Sequence, residues 1–326
     1  VSDISIDPAV ALFTLGVVLG VAILTGAGPL RRAGKGALPS AIEGERTTAS
    51  RGTLRVRSTL LVVQIALAVV LLVSAGLVVR SFVQLRQVDL GFTPHRVLTL
   101  TVQPGATEQP NLWLQDFLVR ARQLPGVVAA GSVNLRPLLL GPIGHGVRVF
   151  LEGQPITREA AEANPTLNYQ VASPGYFEAM KIPLQAGRLF NDHDRTGQPR
   201  VALVSESTAR RLWPDQDPIG KRLLIPISPA SRIWRTVVGV VGDVRYRGIA
   251  EVQLDVYEPA LQVDMPADNI VIRTSGDPLA LAGPVRELAR TLDATSIVDL
   301  VTSMDAVVYR AEAPWRLKMG IVGWFA

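Results

Sequence analysis

Two stretches of about 20 residues without a charged side chain constrain this chain more than any other feature. Ala9 to Gly28 reads AVALFTLGVVLGVAILTGAG, and Thr59 to Val79 reads TLLVVQIALAVVLLVSAGLVV, with Gln64 its only strongly polar side chain. At about 1.5 Å per helical residue each reaches roughly 30 Å, the thickness of a hydrocarbon core. A core helix of a water-soluble protein carries a polar stripe, and these carry none. Both are therefore read as membrane spans. The second lies too far into the chain to be a signal peptide.

The charge pattern agrees with the spans. The chain has 33 Lys and Arg against 28 Asp and Glu, a net charge of +5. Between Pro29 and Arg57 stand seven bases (Arg31, Arg32, Lys35, Arg46, Arg51, Arg55, Arg57) and two acids, Glu43 and Glu45, so this loop holds the whole excess. A short basic loop stays cytoplasmic, which sends the first span inward and the second outward. Everything after Arg80 then lies on the far side of the membrane. One basic loop is not the basic face that nucleic-acid binding requires, so no nucleic-acid partner is expected. Membrane lipid is.

Within the spans, Gly16 and Gly20 form a small-xxx-small pair that admits a second helix closely, and Gln64 needs an interhelical hydrogen-bond partner. Both are read as helix packing. The text APWRLKMGIVGWFA at 313–326 resembles the first turns of a third span, and the chain is read as a segment of a longer polytopic protein.

From about Gly91 the text changes to short apolar runs punctuated by Gly, Pro, Asn and Asp. VLTLTV (97–102) alternates as a strand, NLWLQDFLVRARQL (111–124) spaces its apolar residues as a helix, and VVAAGSV follows as a strand. The order recurs in NIVIRT (269–274), LALAGPVRELARTL (279–292) and SIVDLV (296–301), with Asp277-Pro278 as the helix start. Two βαβ-like units thus bracket the domain and predict an α+β module. Between them, SESTARRLW (205–213) reads as a helix, and RLLIPI (222–227) and WRTVVGVVGDV (234–244) as strands. An inserted β-rich subdomain is the simplest placement for these.

Chemical motifs are poor. No cysteine is present, which excludes thiolate nucleophiles and Cys-ligated zinc. GPLRRAGKGA fails as a P-loop in its glycine spacing, and Gly36 stands where a magnesium-binding hydroxyl belongs. Asp192-His193-Asp194-Arg195-Thr196-Gly197 opens like a calcium loop, but Leu203 occupies the twelfth position, where the closing glutamate should be. His95, His145 and His193 have no metal-ligand spacing, and Ser205 and Ser207 lack a nucleophile elbow. No catalytic, cofactor or metal residue is assigned.

The order of these blocks resembles the permease subunits of the MacB/FtsX-like ABC transporter group. The matching text is RSTLLVVQIALAVVLLVSAGLVVRSF (57–82), LGFTPHRVLTLTV, SPGYFEAMKIPLQAGRLF (173–190), VALVSESTARRLWPDQDPIGKRL (201–223), WRTVVGVVGDVRYRG (234–248) and the closing APWRLKMGIVGWFA. The resemblance implies a membrane-anchored α+β protein: two transmembrane helices, the start of a third, and a large periplasmic domain with porter-like βαβ units. Its implied parts are a last helix of a preceding permease half (1–28), the basic loop (29–57), a span (58–82), the periplasmic core (83–313, with the inserted subdomain at roughly 175–262) and a truncated span (314–326). It further implies a bacterial inner membrane location and a separate ABC ATP-binding subunit near the basic loop. A second permease half or homodimer partner, and a periplasmic adaptor protein, are implied as further partners. The permease itself has no catalytic residues in that group. The competing reading is a membrane-anchored periplasmic sensor or adaptor with no ATP-driven motion.

Overall fold

The chain divides into two compact units, Val1–Ala66 and Leu67–Ala326. The computed structural model describes residues 89–138, 145–226, 233–248 and 252–314, together with the helical positions 59, 60, 63, 64, 67, 68 and 76. Gly16, Gly20 and the basic side chains of the 29–57 loop lie outside the described residues, as does most of each expected span. Gln64 is helical and exposed. Among the described residues no helix is long and apolar enough to cross a membrane.

Strand β1 (Val97–Gln103), helix α1 (Pro110–Ala121) and strand β2 (Val127–Val133) form the first unit of the domain. Strand β11 (Asn269–Thr274), helix α5 (Ala282–Leu292) and strand β12 (Ile297–Ser303) form the second. The strands lie side by side in the order β12-β1-β11-β2, every neighbour antiparallel. Each βαβ unit therefore straddles a strand of the other, the split βαβ arrangement of ferredoxin-like folds. Alternation along the strands sends Leu98, Leu100, Val102, Ile270 and Ile272 to one face, where they meet Leu114, Phe117 and Leu118 of α1 and Val285 and Ala289 of α5. Val97, Ala129, Val133 and Val271 point to the opposite face. β1 and β11 are thus buried on both faces, with Thr99 inside, whereas β12 at the sheet edge has no fully buried residue.

Residues 134–268 run between the two units and build the rest of the sheet. Its strands are β3 (Gly146–Arg148), β4 (Phe150–Leu151), β5 (Thr166–Ala172), β6 (Leu184–Gly187), β7 (Val201–Ser205), β8 (Arg222–Leu224), β9 (Trp234–Val241) and β10 (Asp255–Pro259). The order continues β2-β5-β10-β7-β9-β8-β4, with β3 on β5 and β6 on β9. Helix α2 (Arg158–Ala163) is capped by Thr157, and helix α4 (Glu206–Leu212) by Ser205, with acids in the first turns and Arg210 and Arg211 closing α4. Both arrangements complement the helix dipole. A second core under α4 gathers Leu167, Tyr169, Val204, Leu212, Trp213, Leu223 and Val256.

One residue pair, Val133 with Ala172, joins β2 to β5. The seam is polar: Ser132 N donates to Ser173 Oγ at 2.8 Å, and Val171 N to Asn134 Oδ1 at 2.9 Å. Helix α3 (Tyr176–Met180) begins directly over it. A Cβ on Gly131 would stand 2.2 Å from Tyr176 N, and one on Gly175 would stand 2.2 Å from Ala130 O. Only glycines let β2 and the start of α3 come this close, which is the physical content of the SPGYF text.

Candidate functional site

The residues that stand out functionally are those at the two ends of the described domain, where the chain arrives from and returns toward the expected spans. The incoming segment is Asp89 to Arg96, DLGFTPHR. Gly91 takes φ +77°, and a Cβ there would stand 1.7 Å from the Asp243 carbonyl oxygen, so the segment presses backbone to backbone on the loop after β9. Phe92 inserts into the core beneath α3. Thr93 N donates to Met180 O at 2.9 Å, and Arg245 Nε donates to Asp89 O at 2.9 Å.

A single guanidinium then locks the segment in place. Arg273 of β11 donates from Nε to Ala179 O at 2.8 Å, from Nη1 to His95 O at 2.9 Å and from Nη2 to Thr93 O at 2.7 Å. Two of these acceptors belong to the incoming segment and the third to the last turn of α3, where a cation also complements the helix dipole. Burial draws the guanidinium below its usual range. Five donors in a fixed fork suit Arg, and not Lys, to a site with three carbonyls.

The outgoing element is helix α6 (Met304–Ala311), capped by Ser303, whose Oγ accepts from Ala306 N at 3.2 Å. Met304 and Val307 bury in the core that receives Phe92, and Val308 and Ala311 pack on its edge. His95 Nδ1 lies 3.5 Å from Asp305 Oδ2, so the incoming segment and the outgoing helix touch directly.

Beneath them lies an aromatic floor. Tyr176, Phe177, Phe190 and Tyr257 pack edge to face, and the Tyr176 and Tyr246 hydroxyls are 2.7 Å apart. Burial raises the Tyr176, Tyr246 and Tyr257 hydroxyls and holds the Asp255 carboxyl well above the usual carboxylate range, although Asn168 Nδ2 donates to it at 2.7 Å. A cleft of about 490 Å³ opens beside the incoming segment, lined in part by Asp89, Lys181, Glu206, Asp243 and Arg245.

The chemical candidates in the sequence are occupied otherwise. Ser205 Oγ caps α4, accepting from Thr208 N. Ser207 N and Oγ both donate to Asp243, at 2.8 and 2.5 Å, with no histidine in the arrangement. Among the described residues no group of His, Asp and Glu is placed to hold a metal ion. In the calcium-like text, Asp194 faces inward and takes two bonds from Arg188, at 2.7 and 2.9 Å, and one from Asn191 N. Burial pushes its carboxyl up, but these donors outweigh burial and leave it below the ordinary range.

Such a carboxylate stabilises the fold above its unfolded pKa of about 3.9 and loses that contribution as pH falls through the lower folded value. Asp194→Asn should cost about 1–2 kcal/mol at pH 7, allowing for the half-exposed Arg188. The difference from the wild type should shrink below about pH 4, as read by urea melts at a series of pH values.

The sequence singled out neither Arg273 nor the His95–Asp305 pair. The signal for Arg273 was an arginine inside a fully buried strand, NIVIRT, where a charge needs built-in partners.

The MacB-like periplasmic core domain family matches residues 58–278. Macrolide export ATP-binding/permease protein MacB from Neisseria gonorrhoeae is 32% identical over 66 residues, which is 20% of this chain and 10% of that protein. The same protein from Neisseria meningitidis serogroup B matches to the same extent. The chain thus aligns with about a tenth of the length of these curated relatives. Among solved structures, the periplasmic region of MacB from Actinobacillus actinomycetemcomitans has a TM-score of 0.45 at 13% identity, covering 68% of this chain and 94% of that one. A domain of a putative permease from Porphyromonas gingivalis has a TM-score of 0.42 at 18% identity, covering 65% and 92%. With two thirds of its length matched to the family, the chain belongs to the MacB-like periplasmic core domain family.

Proposed function

We propose that this chain is a permease segment of an ABC-type transporter in a bacterial inner membrane, and that its large domain, in the periplasm, is moved by ATP binding on a separate subunit. Movement of that kind serves export or mechanical signalling across the membrane. The observation that carries the reading is the common seat of the incoming segment and α6. Phe92 and Met304 share one core, Arg273 grips the incoming backbone, and His95 meets Asp305. Two helices that shift in the membrane would deliver their displacement to this one end of the domain. A close-packed core transmits strain and does not absorb it. The basic loop with Arg31, Arg32, Lys35, Arg46, Arg51, Arg55 and Arg57 would face the ATP-binding subunit. Gly16, Gly20 and Gln64 would pack the spans against those of a second permease half or an identical copy. A periplasmic adaptor would meet the domain on the far side.

The test uses the full-length permease with its ATP-binding subunit. In cells with a permeabilised outer membrane, an impermeant maleimide should label a cysteine replacing Ser231 and spare one replacing Ser50. In membranes, the labelling rate of a cysteine replacing His95, whose side chain is 73% exposed, should change between the nucleotide-free and ATP-analogue-bound states. The reverse topology would overturn the reading. Correct topology with no response to nucleotide would replace it with the sensor or adaptor.

A further inference from the structure

A second site lies in a small cavity between β12, α6 and the loop after β2. We propose that this cavity binds a small carboxylate carried on a short aliphatic body, gripped by Arg136 and Arg310. The proposal does not depend on the transport reading.

Arg136 is 2% exposed, the largest fully buried side chain among the described residues. Its Nη1 donates to Thr99 Oγ1, and its Nε has no partner. Among the described residues no carboxylate lies within ion-pairing distance of it. Asp268 acts on it only from farther off, and that carboxylate already accepts from Asn269 Nδ2 at 3.0 Å. Another cation stands closer in effect: burial and then the charge of Arg310 pull the Arg136 guanidinium down to about 10. A buried guanidinium with a like charge beside it is costly, and an anion in the cavity between the two offsets that repulsion.

The space for that anion exists. A cavity of about 240 Å³ is lined by Arg136, Thr302 and Arg310 on its polar side and by Leu138, Leu300, Val301 and Val307 on its apolar side. Arg310 reaches Thr302 Oγ1 with one Nη2 bond of 3.1 Å and makes no ion pair among the described residues. The volume is below the roughly 300–1,000 Å³ of sites for drug-sized ligands, which restricts the occupant to a few heavy atoms. Guanidinium groups bind planar carboxylates in bidentate fashion, and the leucine and valine walls suit a branched alkyl group.

The backbone around the cavity is shaped at a cost. Leu138 and Leu300, both lining it, take φ of +61° and +51°. Leu300 sits where the β1–β12 register shifts, between the pairs Thr99–Thr302 and Thr101–Asp299. A bulge bends the strand and increases its local twist, here at residues that line the cavity. Left-handed leucines are uncommon, and such strain persists where surrounding structure holds it for a purpose.

The test is isothermal titration of the full chain in detergent with isovalerate as the probe and its neutral isostere isovaleramide as the control. Isovalerate should bind and isovaleramide should not. Arg136→Met removes the buried member and stands at risk of misfolding, so the decisive variant is Arg310→Gln on the exposed face of α6. It should keep the fold by circular dichroism and weaken isovalerate at least tenfold. Acetyl-Gly-Leu with a free C-terminus, against its amide, separates the sources of the carboxylate. Tighter binding than isovalerate assigns the site to a polypeptide terminus, and weaker binding assigns it to a free acid. No wild-type response to either carboxylate, equal binding of isovaleramide, or unchanged affinity in Arg310→Gln would each overturn the proposal.

Discussion

Glu258→Leu is expected to cost about 3–5 kcal/mol of folding free energy, enough to leave the domain largely unfolded near its normal melting temperature. Glu258 is fully buried on β10 and bonds the Arg235 guanidinium of β9, itself 2% exposed. Tyr169 also donates to it at 2.8 Å, and burial followed by the Glu258 charge raises the Tyr169 hydroxyl well above the ordinary tyrosine range. Taking the carboxylate away leaves a guanidinium in the core whose remaining acceptors are the carbonyls of Ile225 and Ile233. The Tyr169 hydroxyl loses its acceptor as well. The cost is that of an orphaned buried charge and not the worth of the pair. The double variant Arg235→Met with Glu258→Leu should therefore recover most of the loss, because it removes both charges and leaves apolar groups of similar length. Urea melts of the two singles and the double decide this. A double as unstable as the sum of the singles would show that the two charges are uncoupled and would overturn this account.

The bracketing βαβ units were legible because their helices show period and their strands are mostly apolar, although Asp299 interrupts SIVDLV. The strand VLTLTV appears as Val97–Gln103, and NIVIRT as Asn269–Thr274 without a shift. Helix boundaries moved by a few residues: the first turn expected at Leu279 is a 3₁₀ turn over Pro278–Leu281, since Asp277 caps Leu279 N before the α-helix begins. The stretch from 134 to 172 gave no such signal. Its main strand, TLNYQVA, is buried throughout save its first residue, yet it carries Asn168 and Gln170 inside. Asn168 is there to bond Asp255, a partner 87 residues away, and no local pattern announces that. The interleaving of the two units was equally hidden. It follows from β11 entering between β1 and β2, a pairing across more than 130 residues. The docking seat was half legible. Gly91 and Phe92 lie in the LGFTPHR text that resembles the family, but Gly91 is required by a backbone approach to Asp243, and Phe92 by a core, that only the fold supplies.

Arg273→Met is the substitution expected to separate stability from coupling. The variant keeps the length of the side chain, and so most of its packing, while deleting all three donors to Ala179, His95 and Thr93. Hydrogen bonds from a charged group are each worth more than neutral ones, but exposed Thr93 and His95 can recruit water for their carbonyls. A net loss of about 2–4 kcal/mol follows. Arg273→Lys should recover about a third of it, because one ammonium cannot span three carbonyls on two elements. The incoming segment would then be held by Phe92, by Thr93 N on Met180 and by Arg245, and its outer part would fray. Hydrogen exchange at the Thr93 amide, which bonds Met180 O, should rise by orders of magnitude more than exchange in β9, which shares no bond with Arg273. If the domain is driven through this seat, the variant should also lose the nucleotide response at position 95 at a temperature where it is still folded. A variant that frays at Thr93 and keeps that response would place the drive in α6 instead.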